Sequence, residues 1–182
     1  EFDEAFDYGS FGVFSVGYNF KENLEFDNAL VRIDYVKQQE DSANPSKQPD
    51  HKNVTALVTK FEKNNLHLWA DLSFSDGYGS QSDLFGLQLM PFYDITDKTQ
   101  AVFSYTYLKS SDGDGIKLTK YEKDLFSGTG SKLSESFLGI NHFFYGHKLK
   151  WQNAIQYSEM ETATAGDKYD GWGFTSGLRI SW

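Results

Sequence analysis

Tyr169 Asp170 Gly171 Trp172 Gly173 Phe174 Thr175 Ser176 Gly177 Leu178 Arg179 Ile180 Ser181 Trp182 alternates almost without a break between large apolar side chains and small or polar ones. Trp172, Phe174, Leu178, Ile180 and Trp182 share one parity, and Gly171, Gly173, Thr175, Gly177, Arg179 and Ser181 share the other. Successive side chains of a strand point to opposite faces, so a strand here has one greasy face and one that is small, polar and charged. A strand of a soluble sandwich alternates too, but it hides its aromatics and rarely ends flush on one. The aromatic at position 182 carries much of the distinction.

Composition narrows the reading. The chain has 182 residues, 17% of them aromatic, with 16 Gly and only 3 Pro, yet its mean hydropathy is -0.55. No window approaches the run of about 20 apolar residues that a membrane-crossing helix needs. Strands that cross a bilayer put hydrophobicity into every second position and leave the average low. The fold expected is therefore all-β, a transmembrane antiparallel β-barrel of the outer-membrane type. There is no Cys, which excludes disulfides and thiolate metal sites. The opening Glu1 Phe2 Asp3 Glu4 has no basic segment followed by an apolar stretch, so a secretory signal is expected to have been removed or never to have been in this segment. A formal charge of -9 argues against nucleic acid as a partner.

About nine strand-like segments follow one another, at roughly 5–20, 24–38, 52–62, 66–75, 83–94, 98–109, 134–145, 148–160 and 170–182. Lys21 Glu22 Asn23, Lys63 Asn64 Asn65, Ile95 Thr96 Asp97 and Gly146 His147 read as tight turns. The alternate connections, 39–51, 76–82, 110–133 and 161–168, are longer. Short and long joints in strict alternation suit a meander threaded through a bilayer, with brief periplasmic turns and extended extracellular loops. Counting back from Trp182 places all four tight turns on the periplasmic side.

Leu149, Trp151, Ile155 and Tyr157 form an outward set opposed by Lys150, Gln152, Ala154, Gln156 and Ser158. Leu66, Leu68, Leu72 and Phe74 oppose His67, Asp71 and Ser73; Phe85, Leu87, Leu89 and Tyr93 oppose Gly86, Gln88 and Met90; Ala101, Phe103, Tyr105 and Tyr107 oppose Ser104 and Thr106. Val54–Phe61 has no clear parity, and Leu24–Val36 changes phase near Asn28, where a β-bulge is expected. Aromatics crowd the strand ends, Phe92 and Phe143 among them. Tyr93, Tyr145, Trp151, Trp172 and Trp182 are expected to form the membrane girdle.

Phe137 Leu138 Gly139 Ile140 Asn141 His142 Phe143 Phe144 Tyr145 Gly146 His147 Lys148 Leu149 Lys150 Trp151 Gln152 resembles the penultimate hairpin of the phosphate-selective porin O/P family. The stretch from Gly171 to Trp182 is similar to that family's last strand, and Pro91–Gln100 to its strand-turn-strand joint before the final long loop. The resemblance spans residues 83–182. It implies a sixteen-stranded pore, usually a trimer, through which small solutes cross the outer membrane of a Gram-negative bacterium. Nine antiparallel strands do not close an ordinary bacterial barrel, so residues 1–182 are expected to be a single barrel domain or, more simply, the C-terminal part of one, completed by further strands.

The expected pore-lining residues are Arg32, Asp34, Asp71, Lys150, Gln152 and Arg179. These charges are mixed in sign and make no basic ladder, so the reading keeps a general diffusion porin and drops phosphate selectivity. Arg32 and Asp34 share a parity and read as a local ion pair on the wall or, less simply, as part of a transverse field with partners on further strands. Lys150 and Arg179, on neighbouring strands, either hydrate the wall or bias which ions pass. Trp172, Phe174, Leu178, Ile180 and Trp182 also resemble the signal read by the barrel assembly machinery, a transient partner beside membrane lipid and lipopolysaccharide. No cofactor, metal or catalytic residue is expected. Ser110–Gly115 has alternate oxygens but no distal bidentate Glu, which favours a solvated loop over a calcium site. Residues 117–126, in the longest loop, either fold inward as a constriction or extend outside. The competing class is a small lipid-modifying enzyme barrel, or a structural or adhesive anchor. His142 is outward, but Asn141 points the other way and no Ser stands at a matching spacing.

Overall fold

In the computed structural model, residues 11–39, 50–113, 115–118, 129–146, 148–163 and 168–181 are described, with the side chains of Asn23 and Leu24 left aside. Trp182, His147, Asp114, residues 5–10 of the first expected strand and 119–126 of the longest loop lie outside them. Among the described residues the chain forms nine strands in one antiparallel sheet: β1 (Phe11–Asn19), β2 (Asn28–Gln38), β3 (His51–Lys63), β4 (Leu66–Gly77), β5 (Leu84–Thr96), β6 (Thr99–Ser110), β7 (Gly130–Tyr145), β8 (Leu149–Thr162) and β9 (Lys168–Ile180). Spatial order is sequence order, β1 to β9. The sheet is not closed, since among the described residues β1 and β9 are its two edges.

The short joints differ in how they turn. Asn64, at φ 53°, and Gly146, at φ 52°, adopt the left-handed backbone that lets a strand reverse within two or three residues. The first joint is looser: Lys21–Leu24 makes one helical turn, α1, and Glu25 at φ 52° ends it. That turn corrects the bulge expected near Asn28. The change of phase there is the start of β2, whose pairing with β1 and β3 runs without a register shift.

Within β5 the ladder to β6 lapses at Met90 and Pro91, with the same register resuming on both sides from Leu89↔Tyr105 to Phe92↔Val102. Proline has no N–H to give, so the gap sits where the chemistry puts it.

The register sorts side chains into two faces. Val16↔Ile33↔Leu57↔Leu72↔Leu87↔Tyr107 is one cross-strand row of the outward face, and Phe103↔Leu138↔Ile155↔Phe174 is another. Phe174 of these rows is 72% exposed and Leu138 54%, while Leu72, Leu87 and Tyr107 are half-buried. Besides Ala29 beside α1 and Ala154 in the middle of β8, apolar burial gathers in a small cluster on the opposite face, at the long-loop end. Leu108↔Leu133↔Met160 forms a row there, and Ile116 and Leu118 of the connection after β6 are buried to 6% and 4% exposure.

Candidate functional site

The face opposite the apolar rows is concave, because residues of β3 and of β9 line one hollow of about 690 Å³ between them. Its floor is made of small residues, Gly139, Ala154, Thr175 and Gly177, and its flank of Trp69, Phe92 and Phe137. A side chain at Gly139 would have its Cβ 2.9 Å from the Phe137 ring and 3.1 Å from the Asn153 carbonyl. Absence of a side chain there is what lets Phe137 lie against the wall.

Across this hollow runs a chain of hydrogen bonds contributed by successive strands. Gln152 Nε2 of β8 donates to Asn141 Oδ1 of β7 at 2.9 Å. Asn141 Nδ2 donates to Gln100 Oε1 of β6 at 3.0 Å, and Gln100 Nε2 donates to Asp94 Oδ1 of β5 at 2.8 Å. His67 of β4 places Nε2 3.0 Å from the other Asp94 oxygen, and its ring stacks on Phe92 with centroids 4.5 Å apart. Trp69 Nε1 donates to Glu62 Oε1 of β3 at 3.1 Å. His67 Nδ1, buried and without a hydrogen bond, lies 3.7 Å from that same oxygen. Six neighbouring strands therefore each present a polar group to the hollow. A shorter network stands nearer the long loops, where Gln156 and Ser158 both donate to Glu135 Oε2, at 2.6 and 2.9 Å.

All six expected pore-lining residues fall on the hollow face by register, though the structure does not gather them into one cluster. Arg32 and Asp34 form the local pair read from the sequence, Nη2 to Oδ2 2.7 Å, and Ser15 also donates to Asp34. Asp71 sits opposite Val58 and Gln88. Gln152 belongs to the hydrogen-bonded chain. Lys150 and Arg179 are direct cross-strand partners, and Lys150 Nζ stands 5.9 Å from the Phe143 ring centroid.

Of the expected girdle, Tyr93, Tyr145, Trp151 and Trp172 are exposed on the outward face; Trp182 lies outside the described residues. Phe92 and Phe143 correct the wider reading of a strand-end belt, because each follows or precedes an outward aromatic and so points into the hollow. Trp172, Phe174, Leu178 and Ile180 share the outward face of β9. Polar atoms on that face bond one another: Trp151 Nε1 donates to Ser176 Oγ at 3.1 Å, and Ser176 donates to Asn153 Oδ1 at 2.8 Å.

The connection after β6 turns inward as far as it is described. Ile116 and Gly130 exchange backbone hydrogen bonds of 3.0 and 2.7 Å, Gln81 donates to the Gly115 carbonyl at 2.8 Å, and Lys117 pairs with Asp50 at the start of β3. Gly115 takes a bond from its own N–H to Ser110 Oγ at 2.8 Å, and no cluster of metal-ligating groups occurs among the described residues. His142 faces outward against Thr99, 3.2 Å away, while Asn141 faces the hollow. Sequence reading missed Glu62, Trp69, Phe92, Asp94, Gln100, Phe137 and Asn141. The signal available was parity carried across each hairpin from its turn. Comparison of this chain with protein families, curated proteins and solved structures finds no match.

Proposed function

We propose that this chain is wall of an outer-membrane porin, a water-filled channel for passive diffusion of small hydrophilic solutes and ions. One observation carries the reading: the apolar belt does not follow the hydrogen-bonded rows but steps along the strands. On β4 the belt runs from Leu66 to Phe74 about Ala70, and on β9 from Trp172 to Ile180 about Ser176. The row through Ala70 passes Leu89, Tyr105, Ser136 and Tyr157 and reaches β9 at Trp172, four residues short of Ser176. At about 3.3 Å per residue, and about 4.8 Å between strands, that step over five strand intervals gives a tilt of about 30°. It approaches the ~35–45° at which membrane barrel strands lean. A soluble sheet has no reason to hold its greasy band level while its strands tilt.

The hollow face supports the same reading. Its polar groups are bonded to one another yet open to a lumen, and fixed charges of both signs bias ion passage without a gate. Unpaired N–H and C=O groups on β1 and β9 have no place in a bilayer, so the wall is completed by further strands, and pores of this kind assemble as homotrimers. Lipid and lipopolysaccharide are its surroundings in the outer membrane, and the barrel assembly machinery is its route there. The test is single-channel conductance of the detergent-purified native protein in a planar bilayer under a salt gradient. Stable ohmic steps with a reversal potential are expected. A folded protein that never conducts overturns the pore and turns attention to an enzyme or an anchor.

A further inference from the structure

We propose that the hollow is a saccharide-binding site, so that the solute drawn through the wall is a neutral polyhydroxylated one; this rests on the pore reading above and names its solute class.

The argument begins with what the site offers. Gln100, Asn141 and Gln152 form an unbroken amide row, each bonded to the next. An amide has two N–H donors and a carbonyl with two lone pairs, so each keeps donor or acceptor capacity after these bonds are made. A sugar hydroxyl donates and accepts at once, which is what a row of donors and acceptors in alternation fits. Opposite the row stand Trp69 and Phe92, edge to face with centroids 5.1 Å apart; His67 stacks on one face of Phe92 and Lys60 Nζ lies 4.3 Å over the Trp69 ring, so the pair has at most one ring face left to offer. Aromatic rings carry a negative face, which attracts the C–H groups on the flat side of a pyranose. The floor at Gly177 is bare, since a Cβ there would meet nothing within 4 Å, while the Phe137 ring fills the space over Gly139. The volume, about 690 Å³, lies in the range of small-molecule sites, and mostly apolar walls with a few placed polar groups are their usual make-up.

A cation is the alternative the carboxylates suggest. Glu62 and Asp94 are already engaged, the first by the Trp69 indole and the second by His67 and Gln100 together. A free anion would meet those same carboxylates. Uncharged polyols are what remains.

Trp69 is the only Trp on the hollow face among the described residues, since Trp151 and Trp172 face outward, so the site has its own reporter. Detergent-purified protein is titrated with maltotriose and, separately, with polyethylene glycol of matched hydrodynamic radius, following tryptophan emission. Maltotriose is expected to give a saturable change that Trp69→Phe removes and polyethylene glycol does not produce. Phe92→Ala and Gln100→Ala are each expected to weaken it roughly tenfold, while Phe103→Leu on the outward face leaves it unchanged; heat-modifiable electrophoretic mobility verifies that every variant is folded. A flat titration, or equal responses to both solutes, overturns the saccharide site. The bilayer measurement separates the two readings. Conductance without maltotriose binding leaves the pore and removes the saccharide site, and saturable binding on a silent protein does the reverse.

Discussion

Phe103, Leu138, Ile155 and Phe174 lie side by side on the outward face with no polar atom to share, whereas Gln100, Asn141 and Gln152, on three of the same strands, are joined side chain to side chain on the hollow face. Both sets come from the same ladder, and one residue of offset decides which chemistry a position has. The outward set is complete only when something apolar covers it. The hollow set satisfies much of its own hydrogen bonding and can stand against water. The difference teaches that backbone pairing holds the sheet together, and that each face is then free to suit its own surroundings.

The sharpest way to break the contrast is a charge on each side. Ile140→Arg places a guanidinium in the middle of the outward belt and is expected to destabilise the protein in lipid by about 2–4 kcal/mol. Gln152→Arg, on the hollow face, is expected to move the urea midpoint little, and equal losses from the two would erase the distinction between the faces.

Within the hollow, two glycines sharpen it further. Gly139→Val brings Cβ 3.1 Å from a backbone oxygen and close to the Phe137 ring, an overpacking expected to cost about 1–3 kcal/mol. At Gly177 nothing stands within 4 Å of a Cβ, so Gly177→Val narrows the hollow and is expected to lower conductance with little effect on unfolding.

Cutting the amide row is a smaller perturbation. Asn141→Leu removes both of its bonds, to Gln100 and from Gln152. Water in the hollow replaces them in part, so a loss of about 1 kcal/mol is expected in the same unfolding assay. Smallest of all is Arg32→Ala. The ion pair with Asp34 is partly exposed, at 41% and 25% for the two side chains, and the midpoint is expected to stay put. On the pore reading the reversal potential is expected to move toward cation preference, because Asp34 then faces the hollow without its cationic partner.

Much of the sheet was readable from alternation alone. On β8 the set Leu149, Trp151, Ile155 against Lys150, Gln152, Gln156 separates cleanly, and on β5 so does Phe85, Leu87, Leu89 against Gly86, Gln88, Met90; the register agrees with both. β3 gave no parity for a physical reason: Val54, Ala56 and Val58 on the hollow side are more apolar than Thr55, Leu57 and Thr59 outward, so the contrast runs against that of the other strands. Adjacent aromatics misled in the same way, since Phe92 and Tyr93 look alike in composition and differ only in phase. The hydrogen-bonded row was hidden because Gln100 and Asn141 are 41 residues apart and meet only through pairing. Burial of Ile116 and Leu118 left no trace in a loop otherwise rich in Gly, Asp and Lys.

Among the described residues every strand pairs with its sequence neighbours and with no other strand, which makes the contact order low for an all-β chain. Such a sheet can assemble like a zipper, one hairpin at a time. The two-residue turn at Asn64 and Asn65 closes easily; the nineteen residues between Ser110 and Gly130 cost about 2 kcal/mol more in closure entropy. The bridge of Ile116 to Gly130 comes early in that excursion and offsets part of the loss. Joining β6 to β7 is therefore the slow step of the zipper, and β1–β6 and β7–β9 are the two blocks whose separate formation a folding experiment would meet first.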